Sequence, residues 1–115
     1  MQPRSAALLW DLLAAAQRAQ GFVKDKTWAD YEGDLLLRSG VERQLEIAGE
    51  ATSVLRKLDP ETAAQVPEAH KIIGMRNVLI HGYAKVNNQT VWRVANADLE
   101  TVITTVAALL EEAAG

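Results

Sequence analysis

Apolar residues recur along this chain at helical rather than strand spacing. Between Ser5 and Ala19, the positions Leu8, Leu9, Leu12, Leu13 and Ala16 follow an i, i+3/i+4 rule. That spacing predicts an amphipathic helix, and Gly21 punctuates its end. Thr27 then precedes Trp28-Ala29-Asp30, where its hydroxyl caps a free backbone N–H and Asp30 sits favourably in a first turn. A long helical stretch is predicted from there to Leu58, with Leu35, Leu36, Val41, Leu45, Ala48, Val54, Leu55 and Leu58 on its core face. Ser39-Gly40 weakens this stretch by about 1 kcal/mol relative to alanine, which predicts a kink or short break there.

Asp59-Pro60-Glu61-Thr62 reads as a turn entering a short helix, with Asp59 as N-cap and Pro60 at the first helical position. Val66-Pro67-Glu68 repeats the device and opens a further helix. Asn87-Asn88-Gln89 is a polar turn, Val91-Trp92 begins a short helix, and Asn96-Ala97-Asp98 caps the last one. In that final helix Leu99, Val102, Ile103, Val106, Leu109 and Leu110 form a regular apolar stripe. No alternating strand pattern, internal repeat or low-complexity tract is visible beyond an alanine bias at both ends. The prediction is a single all-α domain over residues 1–115, a bundle of about five helices.

Composition narrows the class. A hydrophobic share of 49% suits a globular rather than a disordered chain. Sparse aromatics and abundant Ala and Leu favour helix packed on helix. Without cysteine there is no disulfide and no thiolate metal site. The run Ala6-Ala7-Leu8-Leu9-Trp10 is interrupted at once by Asp11, so nothing reads as a signal peptide. No apolar run approaches the roughly 18 residues needed to span a bilayer. A cytoplasmic protein without membrane partners is expected.

Charge locates the chemistry. The chain is acidic, with 15 Asp and Glu against 12 Lys and Arg, yet no acidic residue occurs between Glu68 and Asp98. That window holds Lys71, Arg76, Lys85 and Arg93, both histidines (His70 and His81), and the segment Met75-Arg76-Asn77-Val78-Leu79-Ile80-His81-Gly82-Tyr83. Arginine is a permanent cation, histidine moves protons near neutral pH, and tyrosine offers a hydroxyl. This set suits chemistry at a phosphate. On an ideal helix Arg76 and His81 point about 140° apart, while Arg76 and Tyr83 lie nearly in line. A joint Arg–His site therefore requires Arg76 to wrap around the helix, the helix to loosen near Gly82, or a two-fold dimer that sets two such pairs at one cleft.

The candidate reaction at such a cleft is RNA cleavage without a metal or other cofactor. His81 takes the proton of a ribose 2′-OH or protonates the leaving 5′-oxygen. Arg76 stabilises the charge on pentacoordinate phosphorus, Asn77 orients the His or the phosphate, and Lys71, Lys85 and Arg93 hold neighbouring phosphates. The plain alternative is a surface Arg and His of an ordinary helical protein, with Tyr83 and Trp92 in a core or interface and His70 on the surface. Arg43, Glu46 and Glu50 share one helix face. Either Glu46 or Glu50 holds Arg76 or tunes His81, or the row is structural, a solvated ion-pair row or a dimer contact; the structural role is the favoured reading.

The segment Arg76–Tyr83 resembles the R-x-x-x-x-H-x-Y signature of HepT, the toxin of a bacterial toxin–antitoxin pair in the HEPN superfamily. Asn77 is similar to the polar residue that superfamily commonly places after its arginine. Val41 through Ala51 looks like the family's second helical block, and Val66-Pro67, Ile72-Ile73-Gly74-Met75 and Val91-Trp92 fall in the expected order around the motif. Family members often carry a proline near the start of the final helix, where this chain has Asn96-Ala97-Asp98. The resemblance covers essentially the whole chain. It implies a HEPN-like helical bundle, a homodimer with a composite cleft, and metal-independent RNase activity with Arg76 and His81 as the catalytic pair. It also implies that Tyr83 accepts AMP from a partner antitoxin, a small nucleotidyltransferase of the MntA type. Adenylyl groups beside Arg76 would add bulk and negative charge where the RNA phosphate sits.

Two function classes follow. One is a HepT-like RNase toxin restrained by a nucleotidyltransferase antitoxin. The other is a non-catalytic helical partner, or nucleotide-binding module, of a nucleotidyltransferase. A net charge of −3 leans toward the second, since RNA binding draws on cationic surface. The acid-free window and the intact Arg, Asn, His and Tyr lean toward the first. No recognition element for a particular RNA is legible.

Overall fold

The computed structural model describes residues 1–115 apart from the side chain of Tyr83. It is built from helices α1 (Pro3–Val23), α2 (Trp28–Glu32), α3 (Leu35–Leu58), α4 (Pro60–Ala63), α5 (Ala69–His81), α6 (Asn88–Arg93) and α7 (Leu99–Ala114). A 3₁₀ turn spans Tyr83–Lys85, and a π-helical turn at Val94–Asp98 joins α6 to α7. The all-α architecture expected from the 3.6-residue spacing is present. No described helix is long and apolar enough to cross a membrane.

Helix α1 packs along α3 and α7, and α5 packs against α3. Two clusters form the core. Leu9, Leu12 and Leu13 of α1 meet Ala48, Ala51 and Leu55 of α3, Ile72 of α5, and Val102, Val106 and Leu110 of α7. Ala16, Ala19 and Val23 continue α1 into a second cluster with Tyr31, Val41, Leu45, Leu79, Val91, Val94 and Leu99. Trp92 belongs to this second end, its ring centroid 5.2 Å from that of Tyr31 and 6.3 Å from that of Trp28. Both of its neighbours come from α2.

Several boundaries differ from the sequence expectation. Helix α1 continues through Gly21, since its last turn buries Val23 in the second cluster. Thr27 and Asp30 form the reciprocal cap that opens α2, but the break before α3 lies at Gly33-Asp34 rather than Ser39-Gly40. Asp34 accepts the Leu37 N–H and so starts a new helix. Gly40 stays helical within α3, with the Phe22 ring of α1 3.4 Å from where its Cβ would be. Phe22 is nearly the last residue of α1, so the first turn of α3 runs past the end of that helix. Leu35 and Leu36, expected in the core, are therefore 70% and 84% exposed.

Asp59 caps α4 with Pro60 at its first position, as expected. Glu68 does not repeat the device. It takes a left-handed φ of 61°, makes no side-chain cap, and sends its carboxylate to Lys71 instead. Asn87 caps α6 directly, so that helix starts at Asn88, before Val91. Asn96-Ala97-Asp98 caps nothing: the π turn carries the backbone on into α7, and the Asn96 amide donates to the Trp92 carbonyl.

Candidate active site

The motif segment forms α5 and its C-terminal exit. Ile72, Ile73 and Leu79 bury one face of α5, leaving the motif's polar residues at the edge and outside. Arg76 lies at the α3 edge. Its side chain is 25% exposed and its Nη2 is 2.8 Å from Oε2 of Glu50 on α3. Its Nη1 donates to Oδ1 of Asn77 at 3.0 Å. The Nε–H is buried without a hydrogen-bond partner among the described residues.

Close approach of the two helices makes this possible. A Cβ on Gly49 would lie 2.2 Å from the Cβ of Arg76 and 3.0 Å from the Ile72 carbonyl oxygen. Real atoms cannot approach so closely, so only glycine lets α5 settle here. The acid-free window is thus acid-free in sequence alone. In space Glu50 enters it from α3, and the two acids that bound it both return to Lys71. Glu68 lies 3.2 Å and Asp98 3.3 Å from the Lys71 ammonium. Those carboxylates, Glu68 first, hold the lysine's pKa above its ordinary value.

His81 ends α5, is exposed, and has no hydrogen bond or ion pair to a described side chain. Asn77 one turn earlier and Gly74 two turns earlier are exposed as well. An ideal helix puts Gly74 and His81, seven residues apart, within about 20° of each other. The two members of the Arg–His pair therefore face different ways within one chain, Arg76 toward α3 and His81 toward solvent. Helix α5 stops at His81, with Gly82 at φ −123° and a 3₁₀ turn beyond. The expected in-line placement of Tyr83 over Arg76 assumed a helix continuing past that point. An AMP acceptor at Tyr83 needs a reachable hydroxyl, and that side chain lies outside the described residues.

The remaining candidate cations differ in their surroundings. Lys71 is engaged by Glu68 and Asp98, whereas Lys85 and Arg93 are exposed and have no carboxylate partner among the described residues. Lys85 lines a cavity of about 220 Å³ with Met75 and Val78 of α5 and with Val86, Asn87 and Thr90 around the start of α6. His70 is exposed, as expected. The Arg43–Glu46–Glu50 row divides: Arg43 pairs with Glu46 at 3.2 Å in a surface contact, while Glu50 reaches Arg76. An ion-pair row, one form of the structural role favoured from sequence, is present for Arg43 and Glu46, while Glu50 is drawn to Arg76. Gly49 is the residue sequence reasoning missed. Its signal was a glycine standing beside Ala48 in an otherwise strong helix, a usual mark of close backbone approach.

A small all-α bundle that holds an arginine against a neighbouring helix and presents a histidine at the end of the same helix defines the class. The chain belongs to the HepT-like family, described as Ribonuclease HepT-like, whose family model matches residues 12–109. It is 30% identical over 96 residues to "Putative RNase MJ1380" of Methanocaldococcus jannaschii, an overlap covering 84% of this chain and 87% of the relative. It is likewise 30% identical to "Putative RNase MJ0125" of the same organism, over 84% of this chain and 82% of that protein. "Putative RNase TTE0752" of Caldanaerobacter subterraneus subsp. tengcongensis is 40% identical over 70 residues, 61% of this chain and 62% of its own length. No solved structure matches the chain.

Proposed function

We propose that the chain is a metal-independent endoribonuclease that works as a homodimer, with α5 at the two-fold interface and Arg76 and His81 of both copies at one cleft. The observation that carries this reading is the state of the pair itself. Arg76 is held in place with part of its guanidinium still open to solvent, and His81 is exposed at the end of the same helix. The family, and relatives named for RNase activity, support RNA as the substrate. A dimer is supported by what α5 leaves uncovered. Val78 and Ile80 are 43% and 41% exposed, and no described residue lies within 4 Å of where a Gly74 Cβ would be.

In the proposed reaction His81 removes the proton from a ribose 2′-OH as O2′ attacks the adjacent phosphorus. The P–O5′ bond breaks and the departing 5′-oxygen takes a proton, leaving a 2′,3′-cyclic phosphate and a 5′-hydroxyl. Arg76 stabilises the extra charge at phosphorus, and Lys85 and Arg93 hold flanking phosphates. As in the toxins its family is named for, the activity is restrained in the cytoplasm by a nucleotidyltransferase antitoxin of the MntA type that transfers AMP to Tyr83.

The test is RNA cleavage by the purified chain in EDTA, with the product ends identified. Cleavage that persists, leaves cyclic phosphate and disappears in His81→Ala supports the mechanism. Cleavage lost on chelation and restored by magnesium contradicts it. A second reading, a non-catalytic partner that binds nucleotide, draws on the engagement of Lys71 and the net charge of −3, which leave few cations for a long RNA. Nucleotide binding with no cleavage of any RNA would favour it.

A further inference from the structure

We propose that Glu50 is a positioning residue for Arg76, holding the guanidinium plane in the orientation that meets a phosphate, and that Gly49 is the structural condition for that hold. The inference rests on the ribonuclease reading above. An arginine has four rotatable side-chain bonds and loses rotamer freedom whenever it is fixed. Here the two ends of the fork are tied separately, Nη2 to Glu50 at 2.8 Å and Nη1 to Asn77 at 3.0 Å. Two contacts on different nitrogens fix a plane, where one alone leaves a swivel. Each Nη still keeps one N–H of the five a guanidinium owns. The stem is lodged over Gly49, and the head is what Glu50 controls.

The surroundings of Glu50 argue against two simpler roles. As a fold-stabilising ion pair it is poorly placed: its side chain is 56% exposed, and such a pair contributes little in water. As a plug competing with RNA it holds Arg76 through one Nη only, leaving donors open. Orientation is the effect with leverage, since misplacing a catalytic group by about 1 Å costs on the order of 10²-fold in rate.

The experiment compares wild type, Glu50→Ala, Glu50→Gln and Arg76→Ala by cleavage kinetics on one RNA. It adds an activity-independent readout, the NMR signals of the Arg76 Nη groups. Wild type should show separate Nη1 and Nη2 signals from hindered rotation, and Glu50→Ala should average them while its unfolding midpoint stays unchanged. In Glu50→Ala, kcat should fall ~10²-fold with KM changed only a few-fold. Glu50→Gln keeps an oxygen acceptor for Nη2 and should restore both the rate and the separate signals. Averaged signals in wild type, or a Glu50→Ala variant that cleaves as fast as or faster than wild type, overturn the proposal. A Gln variant as impaired as the Ala variant does so too, since the charge and not the acceptor would then matter. Separate signals with no cleavage by wild type would instead overturn the ribonuclease reading and leave the hold on Arg76 demonstrated.

Discussion

Gly49 lies directly beneath Arg76, so close that a Cβ on residue 49 would stand 2.2 Å from the arginine's own Cβ. The neighbouring atoms are the start of the Arg76 side chain and the Ile72 carbonyl, neither of which can move without shifting α5. Gly49→Ala should therefore act as an overpacking change, destabilising the fold by about 1–3 kcal/mol. It should also move Arg76 off Glu50. Chemical denaturation would measure the first effect. RNA cleavage measured well below the unfolding transition would measure the second. A fully active, equally stable Gly49→Ala protein would mean that the two helices are not packed this closely.

Gly74 is the opposite case. It sits on the exposed face of α5, in line with His81, with nothing among the described residues within 4 Å of where its Cβ would be. A glycine inside a helix costs roughly 0.5–1 kcal/mol relative to alanine, and among the described residues no close neighbour compensates for it. Close approach of a second copy would. Gly74→Arg should accordingly give a folded monomer by light scattering, where the wild type gives twice the chain mass, and RNA cleavage should fall with the dimer. Gly74→Arg that stays dimeric and active would remove α5 from the proposed interface.

Asp59 makes stability depend on acid. It ends α3, caps α4, and accepts hydrogen bonds from the buried Ser5 hydroxyl at 2.7 Å and the Thr62 hydroxyl at 2.6 Å, tying α1 to the α3–α4 corner. Those bonds, Thr62 first and Ser5 next, hold its carboxyl below the usual aspartate range. A depressed pKa contributes stability that is fully present above the unfolded value, about 3.9 for aspartate, and is lost as pH falls through the folded value. Asn at this position keeps the cap but not the charge. The Tm gap between wild type and Asp59→Asn should be full at neutral pH and should close once the wild-type carboxyl is protonated. A gap of constant size down to strong acid would show that the charge contributes nothing.

Helical periodicity was readable because each long helix buries a face, and α7 repeats that signal most regularly. Helix ends were harder. Ser39-Gly40 and Gly33-Asp34 are comparable breakers locally, and the break falls where Asp34 caps the first turn of α3, while Gly40 packs beside the Phe22 ring of another helix. Leu35 and Leu36 fit the apolar period yet lie past the end of α1, a matter of helix length that no local pattern encodes. The motif was legible as a set of residue types. Its electrostatics were not, because Glu50 lies 26 positions before Arg76 and meets it only where Gly49 lets α3 and α5 touch. Lys71 shows the reverse: an apparent free cation becomes a surface ion-pair hub once the chain folds.

Control of the proposed activity turns on Tyr83, which follows Gly82 in the 3₁₀ turn just beyond the end of α5. Only Gly82 separates its backbone from His81, so an adenylyl group on this tyrosine is expected near the end of the motif helix that carries His81. Each added AMP carries a phosphate able to pair with an exposed cation such as Lys85. It would thereby occupy the electrostatic site of the RNA. Phenylalanine keeps the ring and removes only the acceptor oxygen. Tyr83→Phe should thus retain most of the RNA cleavage and yet escape silencing when incubated with a cognate nucleotidyltransferase and ATP. Mass spectrometry of the wild-type pair should find added mass in multiples of one AMP on the peptide containing Tyr83, and none on that peptide in the variant. If Tyr83→Phe is modified and silenced like the wild type, the acceptor is another residue and this account of inhibition fails.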